Sequence, residues 1–193
     1  MASTTKPTVR VGVLYEEVQM TDLAGIDILG NLSTKLVTMI AGLIPEVAPL
    51  IPESVPIEFL YISSSLDPTW VSPEMFVRPT HTYANAPRDL DIIFLGGPDP
   101  TKVKEESLQY IREAAKETKV VMSTCTGGMW LARSGILDGK KATTNRMLYE
   151  ASKAAFPTVE WQDQRWVVEK GHFEGAEIWT AGGAGCGEFV ALA

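Results

Sequence analysis

The stretch KVVMSTCTGGMWLARSGILDGKKATTN, Lys119 to Asn145, decides how the rest of the chain is read. An apolar, β-branched run ends on Cys125, and Gly127 and Gly128 follow at once, opening a segment with helical spacing. A residue between a buried strand and a helix can be forced into a tight turn that exposes its side chain. That is the logic of a nucleophile elbow, with cysteine where a hydrolase carries serine. The glycines fit because side chains there would collide with the neighbouring turn. The helix N-terminus offers unpaired N–H groups and the positive end of a dipole, so the thiol is expected to ionise more readily than a free cysteine. Amides near Thr126 could hold a developing anion. Cysteine is also a common buried filler, but the strand–Cys–Thr–Gly–Gly–helix order favours function.

Outward from the elbow, strand-like and helix-like runs alternate. TVRVGVLY reads as a first buried strand, VPIEFLYIS as a second and LDIIFLGG as a third. TDLAGIDILGNLS, KVKEESLQYIREAAKE and MLYEASKAAF carry helical periodicity, the second with Val103, Leu108, Ile111 and Ala115 on one face. WVSPEMFVRPTHTY is expected to be a short hairpin or excursion, because Pro73 and Pro79 exclude a central strand. The final strands are expected in VEWQDQRWVVEKGHFEGAEIWTAGG, with turns at Gly171 and Gly175. This alternation implies an α/β fold, a doubly wound and mostly parallel sheet with helices on both faces. Ligands in such sheets sit beyond the carboxyl ends of the strands, so the Gly-rich ends LGGPDP, STCTGG and TAGGAGCG are candidates to meet at one site.

The 193 residues suit a single domain, residues 1–193, with 45% hydrophobic and 21% charged residues. A net charge of −7 argues against nucleic-acid partners and anionic membranes, both of which need a basic face. The longest apolar stretch, KLVTMIAGLIPEVAPLI, is broken by Pro45, Glu46 and Pro49, so no membrane span is expected. MASTTKPTVR lacks an apolar signal segment, and the two cysteines, Cys125 and Cys186, read as free thiols of a cytoplasmic protein. Cys186 reads as small buried filler ahead of a redox partner for Cys125.

Proton transfer has few candidates. His172, in EKGHFEGA, lies in a turn distal to the elbow, and His81, in RPTHTY, reads first as a partly buried structural residue. A Cys–His pair is therefore poorly supported. Asp22 follows the first strand at the mouth where a helix begins. It reads equally as a helix-capping residue and as a shielded carboxylic acid able to donate a proton to a thiolate or an adduct. Trp70, Trp130 and the insert from Pro45 to Pro56 either shape a pocket or serve packing.

With these motifs in view, the chain resembles the ThiJ/PfpI superfamily, with its glutamine-amidotransferase-like, flavodoxin-like fold, and within it the isocyanide hydratase branch. The family's elbow, C-T-G followed by a helix running to G-[IL]-L-x-G-x-x-A-T-T, is matched by Cys125-Thr126-Gly127, Gly135-Ile136-Leu137, Gly139 and Ala142-Thr143-Thr144. The branch's D-x-x-G segment is matched by Asp22 and Gly25. The resemblance implies a cofactor-independent hydratase, with no metal, that converts an isocyanide to an N-formamide. It assigns Cys125 as nucleophile, Asp22 as general acid/base and Thr126 as a backbone-amide donor whose hydroxyl also nears the substrate. It sets Gly96, Gly97, Gly127 and Ala184 around a small-molecule substrate and implies a homodimer. The branch often has histidine after A-T-T, where this chain has Asn145, and the family normally continues into a long helix where this chain ends at CGEFVALA. The alternatives are a glyoxalase-like or other lyase acting on a carbonyl compound, and a redox-responsive or chaperone-like protein.

Overall fold

Apolar side chains at every second position make Val9–Leu14 a strand, β1, with a core on each side: Val11 and Val13 face one layer and Leu14 the other. The computed structural model describes residues 6–183 and 185. After β1 come β2 (Val18–Gln19), a 3-10 turn (Met20–Leu23), α1 (Ala24–Asn31), α2 (Thr34–Leu43) and a second 3-10 stretch (Pro45–Glu53). Next are β3 (Ile57–Ser63), β4 (Thr69–Ser72), β5 (Met75–Val77), β6 (His81–Thr82), β7 (Ile92–Leu95) and α3 (Glu105–Ala114). The elbow lies between β8 (Val120–Thr124) and α4 (Gly127–Ser134). Beyond it are β9 (Lys141–Ala142), a 3-10 turn (Arg146–Leu148), α5 (Tyr149–Ala155), β10 (Glu160–Trp161), β11 (Trp166–Lys170) and β12 (Glu177–Ala181).

The main sheet has seven strands in the order β11-β12-β8-β7-β1-β3-β6. All pairs are parallel except β11 with β12. The mostly parallel α/β architecture expected from the alternating pattern is therefore present. One face packs against α3 and α4, with Leu108, Ile111, Trp130 and Leu131 meeting Ile93, Leu95, Val121 and Ile178. Burying each such side chain is worth about 1.5–3 kcal/mol, so this layer is a principal source of stability. Trp130 is wholly inside it and donates its indole N–H to Ser107 Oγ at 3.0 Å, which makes it a packing residue rather than a pocket wall.

On the other face, Ile26 and Leu29 of α1 and Val71 of β4 cover Val11, Val13, Phe94 and Met122. WVSPEMFV forms the expected excursion: β4 and β5 are antiparallel, Pro73 lies in their turn, and β2 joins them as a three-stranded sheet. The insert after α2 is surface structure. Pro45 opens the second 3-10 stretch, and neither that stretch nor α2 buries a residue. No helix among the described residues is long and apolar enough to cross a membrane.

Candidate active site

The carboxyl ends of β8, β7 and β1 bring three corners together. Cys125 takes a φ of 53°, a left-handed conformation that a non-glycine residue adopts only where its surroundings enforce it. The enforcement is visible on both sides of the residue. Its N–H donates to Ala181 O at the end of β12 (2.9 Å), and its carbonyl accepts from the Thr144 hydroxyl (3.1 Å). The Ala142-Thr143-Thr144 segment thus serves as a brace for the elbow, anchored in turn by the Thr143 N–H bond to Thr180 Oγ1 at 2.8 Å. Gly128 permits that brace, since a Cβ there would stand 2.5 Å from Thr143 O.

Asp22 reaches the elbow although β7 lies between β1 and β8. The Thr124 hydroxyl, at the last position of β8, donates to the Asp22 backbone carbonyl at 2.8 Å. Gly97, just past β7, completes the approach. A Cβ on it would lie 2.5 Å from Thr126 Oγ1 and 2.9 Å from Asp22 Oδ2, so only a bare backbone lets the two corners close. The capping role open to Asp22 in the sequence is not the one it takes. It sits inside the 3-10 turn, 1% exposed, and neither carboxylate oxygen has a hydrogen-bond partner among the described residues.

A buried carboxylate without partners is costly in its charged form. Burial pushes the Asp22 pKa up to about 6; the adjacent Gly97 amide and Cys125 thiol offset part of the rise without completing a hydrogen bond. The thiol, 6% exposed, is also pushed up, by burial first and then by the neighbouring Asp22. This corrects the expectation of a readily ionised cysteine. The Thr126 amide and the Asn145 side chain pull the other way, but burial outweighs them. Asn145 Nδ2 donates to Cys125 Sγ at 2.9 Å.

The remaining expected residues divide. Thr126 keeps an amide beside the thiol, whereas its hydroxyl is committed to Pro98 O at 2.7 Å and is not offered to a substrate. The Gly96 N–H is committed to Leu14 O at 3.3 Å, extending the β1–β7 pairing, so it is not available as an anion donor. Gly127, the first residue of α4, packs closely enough that a Cβ would meet Leu95 O at 3.1 Å. Ala184, Cys186 and the chain end lie outside the described residues.

No histidine among the described residues hydrogen-bonds Cys125. His81 sits on the edge strand β6 with Nδ1 2.9 Å from Thr80 Oγ1, and β3, β1 and β7 stand between it and β8. His172 lies in the turn between β11 and β12, its pKa lowered by burial and by Lys140. Trp70 pairs across the β4–β5 hairpin with Phe76, and both line a cavity of about 370 Å³ that also touches Pro98, one residue past Gly97. No group of three or more metal-ligating side chains occurs among the described residues. Two contributors had been missed in the sequence. Thr124 gave no signal beyond a hydroxyl at a strand end, and Asn145 was visible only as a departure from histidine.

Comparison with known proteins identifies the family and the fold. The profile of the DJ-1/PfpI family matches residues 54–185. The chain is 30% identical over 137 residues to an isonitrile hydratase of Pseudomonas putida, an alignment covering 69% of this chain and 50% of that protein. It is 27% identical over 105 residues to the HTH-type transcriptional regulator GbdR of Pseudomonas aeruginosa, covering 54% of this chain and 29% of the regulator. The chain thus spans half or less of the curated relatives it matches. A ThiJ/PfpI family protein from Pseudomonas syringae superposes with a TM-score of 0.72 at 20% identity, covering 97% of this chain and 68% of that one, which shows the shared fold.

Proposed function

We propose that this chain, which belongs to the DJ-1/PfpI family, is a cysteine-dependent hydratase that adds water to a small neutral electrophile, an isocyanide first among them. The observation that carries the reading is the buried Asp22 carboxyl beside the Cys125 thiol, without a hydrogen-bond partner among the described residues. A carboxylate with a raised pKa is a base matched to taking the thiol proton near neutrality and an acid matched to returning it. The similarity to an isonitrile hydratase supports the same choice of substrate.

In this scheme Asp22 takes the proton of Cys125, and the thiolate sulfur bonds to the terminal isocyanide carbon while Asp22 returns the proton to that carbon. The product is a thioimidate, S–CH=N–R. Water adds to its carbon, giving a tetrahedral S–CH(OH)–NH–R species whose nitrogen has gained a proton. Expulsion of the thiolate and loss of the hydroxyl proton yield the N-formamide, and Cys125 is reprotonated. Isocyanide and water are consumed, no electrons change hands, and the scheme invokes no cofactor. The Thr126 and Gly97 amides are the donors proposed to face the developing charge, and Gly127 and Ala184 complete the proposed substrate shell.

The redox-responsive alternative loses support from the same site. Oxidation-sensing cysteines are exposed and of low pKa, whereas Cys125 is buried with its pKa raised. A second reading follows from the similarity to a transcriptional regulator: the same site binds a small molecule without turning it over. Formamide production from a simple aryl isocyanide by wild type, Cys125→Ala and Asp22→Asn separates the two. Turnover that vanishes in Cys125→Ala and falls steeply in Asp22→Asn supports the hydratase. Binding without turnover in wild type supports the sensor and sinks the hydratase. A homodimer is part of the proposal, and exposed Met39, Leu43, Ile44 and Leu50 supply apolar surface for an interface.

A further inference from the structure

Asn145 holds two positions at once. Its Oδ1 accepts the Met147 N–H at 2.9 Å, capping the 3-10 turn that follows, and its Nδ2 donates to Cys125 Sγ at 2.9 Å. The first bond fixes the orientation of the carboxamide: with the oxygen end taken by a backbone donor, the amino end is the one facing sulfur. A carboxamide N–H is a far better donor to a thiolate than to a neutral thiol, because hydrogen bonds to charged partners are roughly twice as strong as neutral ones. The bond therefore strengthens as the sulfur acquires charge.

We infer that Asn145 is a catalytic residue that holds the Cys125 thiolate through a donor that does not titrate, leaving proton transfer to Asp22 among the described residues. The inference rests on the reading of Cys125 as nucleophile and adds the group that stabilises its charged form. The groups around the sulfur bear out the division of labour. Among the described residues Asp22 is the charged side chain acting on Cys125, and Thr126 contributes an amide. The next residue along, Arg146, is paired with Asp163 at 2.8 Å. A histidine in place of Asn145 would bring a second titrating group against the sulfur; a carboxamide keeps a constant donor across the physiological range.

The test is the rate of iodoacetamide alkylation of the Cys125 peptide as a function of pH, followed by mass spectrometry in the full chain, for wild type, Asn145→Ala, Asn145→Asp and Asn145→His. Asn145→Asp retains an acceptor for the Met147 N–H and removes the donor to sulfur, so it separates capping from catalysis. The expected result is alkylation at pH 8 slowed about ten- to a hundredfold in Asn145→Ala, the effect of one hydrogen bond to a charged group, with the curve moved to higher pH. Asn145→Asp should be slower still, and Asn145→His should gain an inflection near pH 6–7. Curves for the alanine and aspartate variants that coincide with wild type overturn the inference. So does an aspartate variant that behaves as wild type while alanine does not, since capping alone would then explain the residue. Alkylation needs no isocyanide, so a shifted curve in a protein without hydratase turnover sinks the proposed reaction and leaves the role of Asn145 standing.

Discussion

The Thr124 hydroxyl and the Asp22 backbone carbonyl meet at 2.8 Å, joining the strand that leads to the proposed nucleophile to the turn that carries its proposed acid. The two residues are 102 positions apart, and β7 lies between β1 and β8, so this bond is a direct tie between the halves of the site. Replacing Thr124 with valine removes the donor but keeps the branched shape and leaves a buried carbonyl without this partner. Unfolding in urea should show a loss of about 1–3 kcal/mol. Turnover should fall more than substrate affinity, because the displaced group is the proposed acid rather than a binding contact.

Asp22→Asn should trade activity for stability. The folded state raises the Asp22 pKa from 3.8 to about 6, so the folded protein binds more protons than the unfolded chain between those values and loses stability as pH rises through them. The cost is complete above about pH 6 and amounts to at most about 3 kcal/mol. A neutral carboxamide at this position removes that cost. Melting curves should therefore show the variant more stable than wild type at pH 8, with the gap closing as pH falls below about 4.

The proposed hydratase activity should follow the same ionisation. The productive pair, carboxylate with thiol, forms as Asp22 loses its proton, so kcat/KM should rise with pH through about 6. At alkaline pH it should fall as the thiol ionises without a proton left to return. The rising limb should be missing from whatever residual activity Asp22→Asn retains.

Gly97→Ala should damage the site more than the fold. The added methyl would press on Thr126 Oγ1, Thr126 N and Asp22 Oδ2 at 2.5, 2.7 and 2.9 Å, and the amide cannot yield without moving the elbow. Overpacking of this kind costs about 1–3 kcal/mol. A protein that folds, alkylates at Cys125 and hydrates isocyanide at wild-type rate would show that the close approach of the corners is not needed.

The elbow and sheet were legible in the sequence because both are written locally: a β-branched run, a corner residue and glycines, repeated in strand–helix alternation. Asp22 was legible as a candidate but not as an uncapped acid, since an aspartate opening a helix looks the same whether or not it caps; what separates the two is that its oxygens complete no hydrogen bond among the described residues. The ionisation of Cys125 was misjudged for a related reason. The helix N-terminus is a local feature, but the burial that outweighs it comes from strands and loops far along the chain. Gly96 and Gly97 read alike as a pair, yet one amide is spent on the sheet and the other faces the acid, a distinction made by the register of β7 against β1.

Cys125 is held fore and aft, its N–H on Ala181 and its carbonyl under Thr144, so its main chain is braced on both sides. The motion left to the residue is rotation about the Cα–Cβ bond. In the proposed reaction, attack and release would thus reduce to one torsion swinging a sulfur between the Asn145 amide and the Asp22 carboxyl, a hinge of a single bond in a braced main chain.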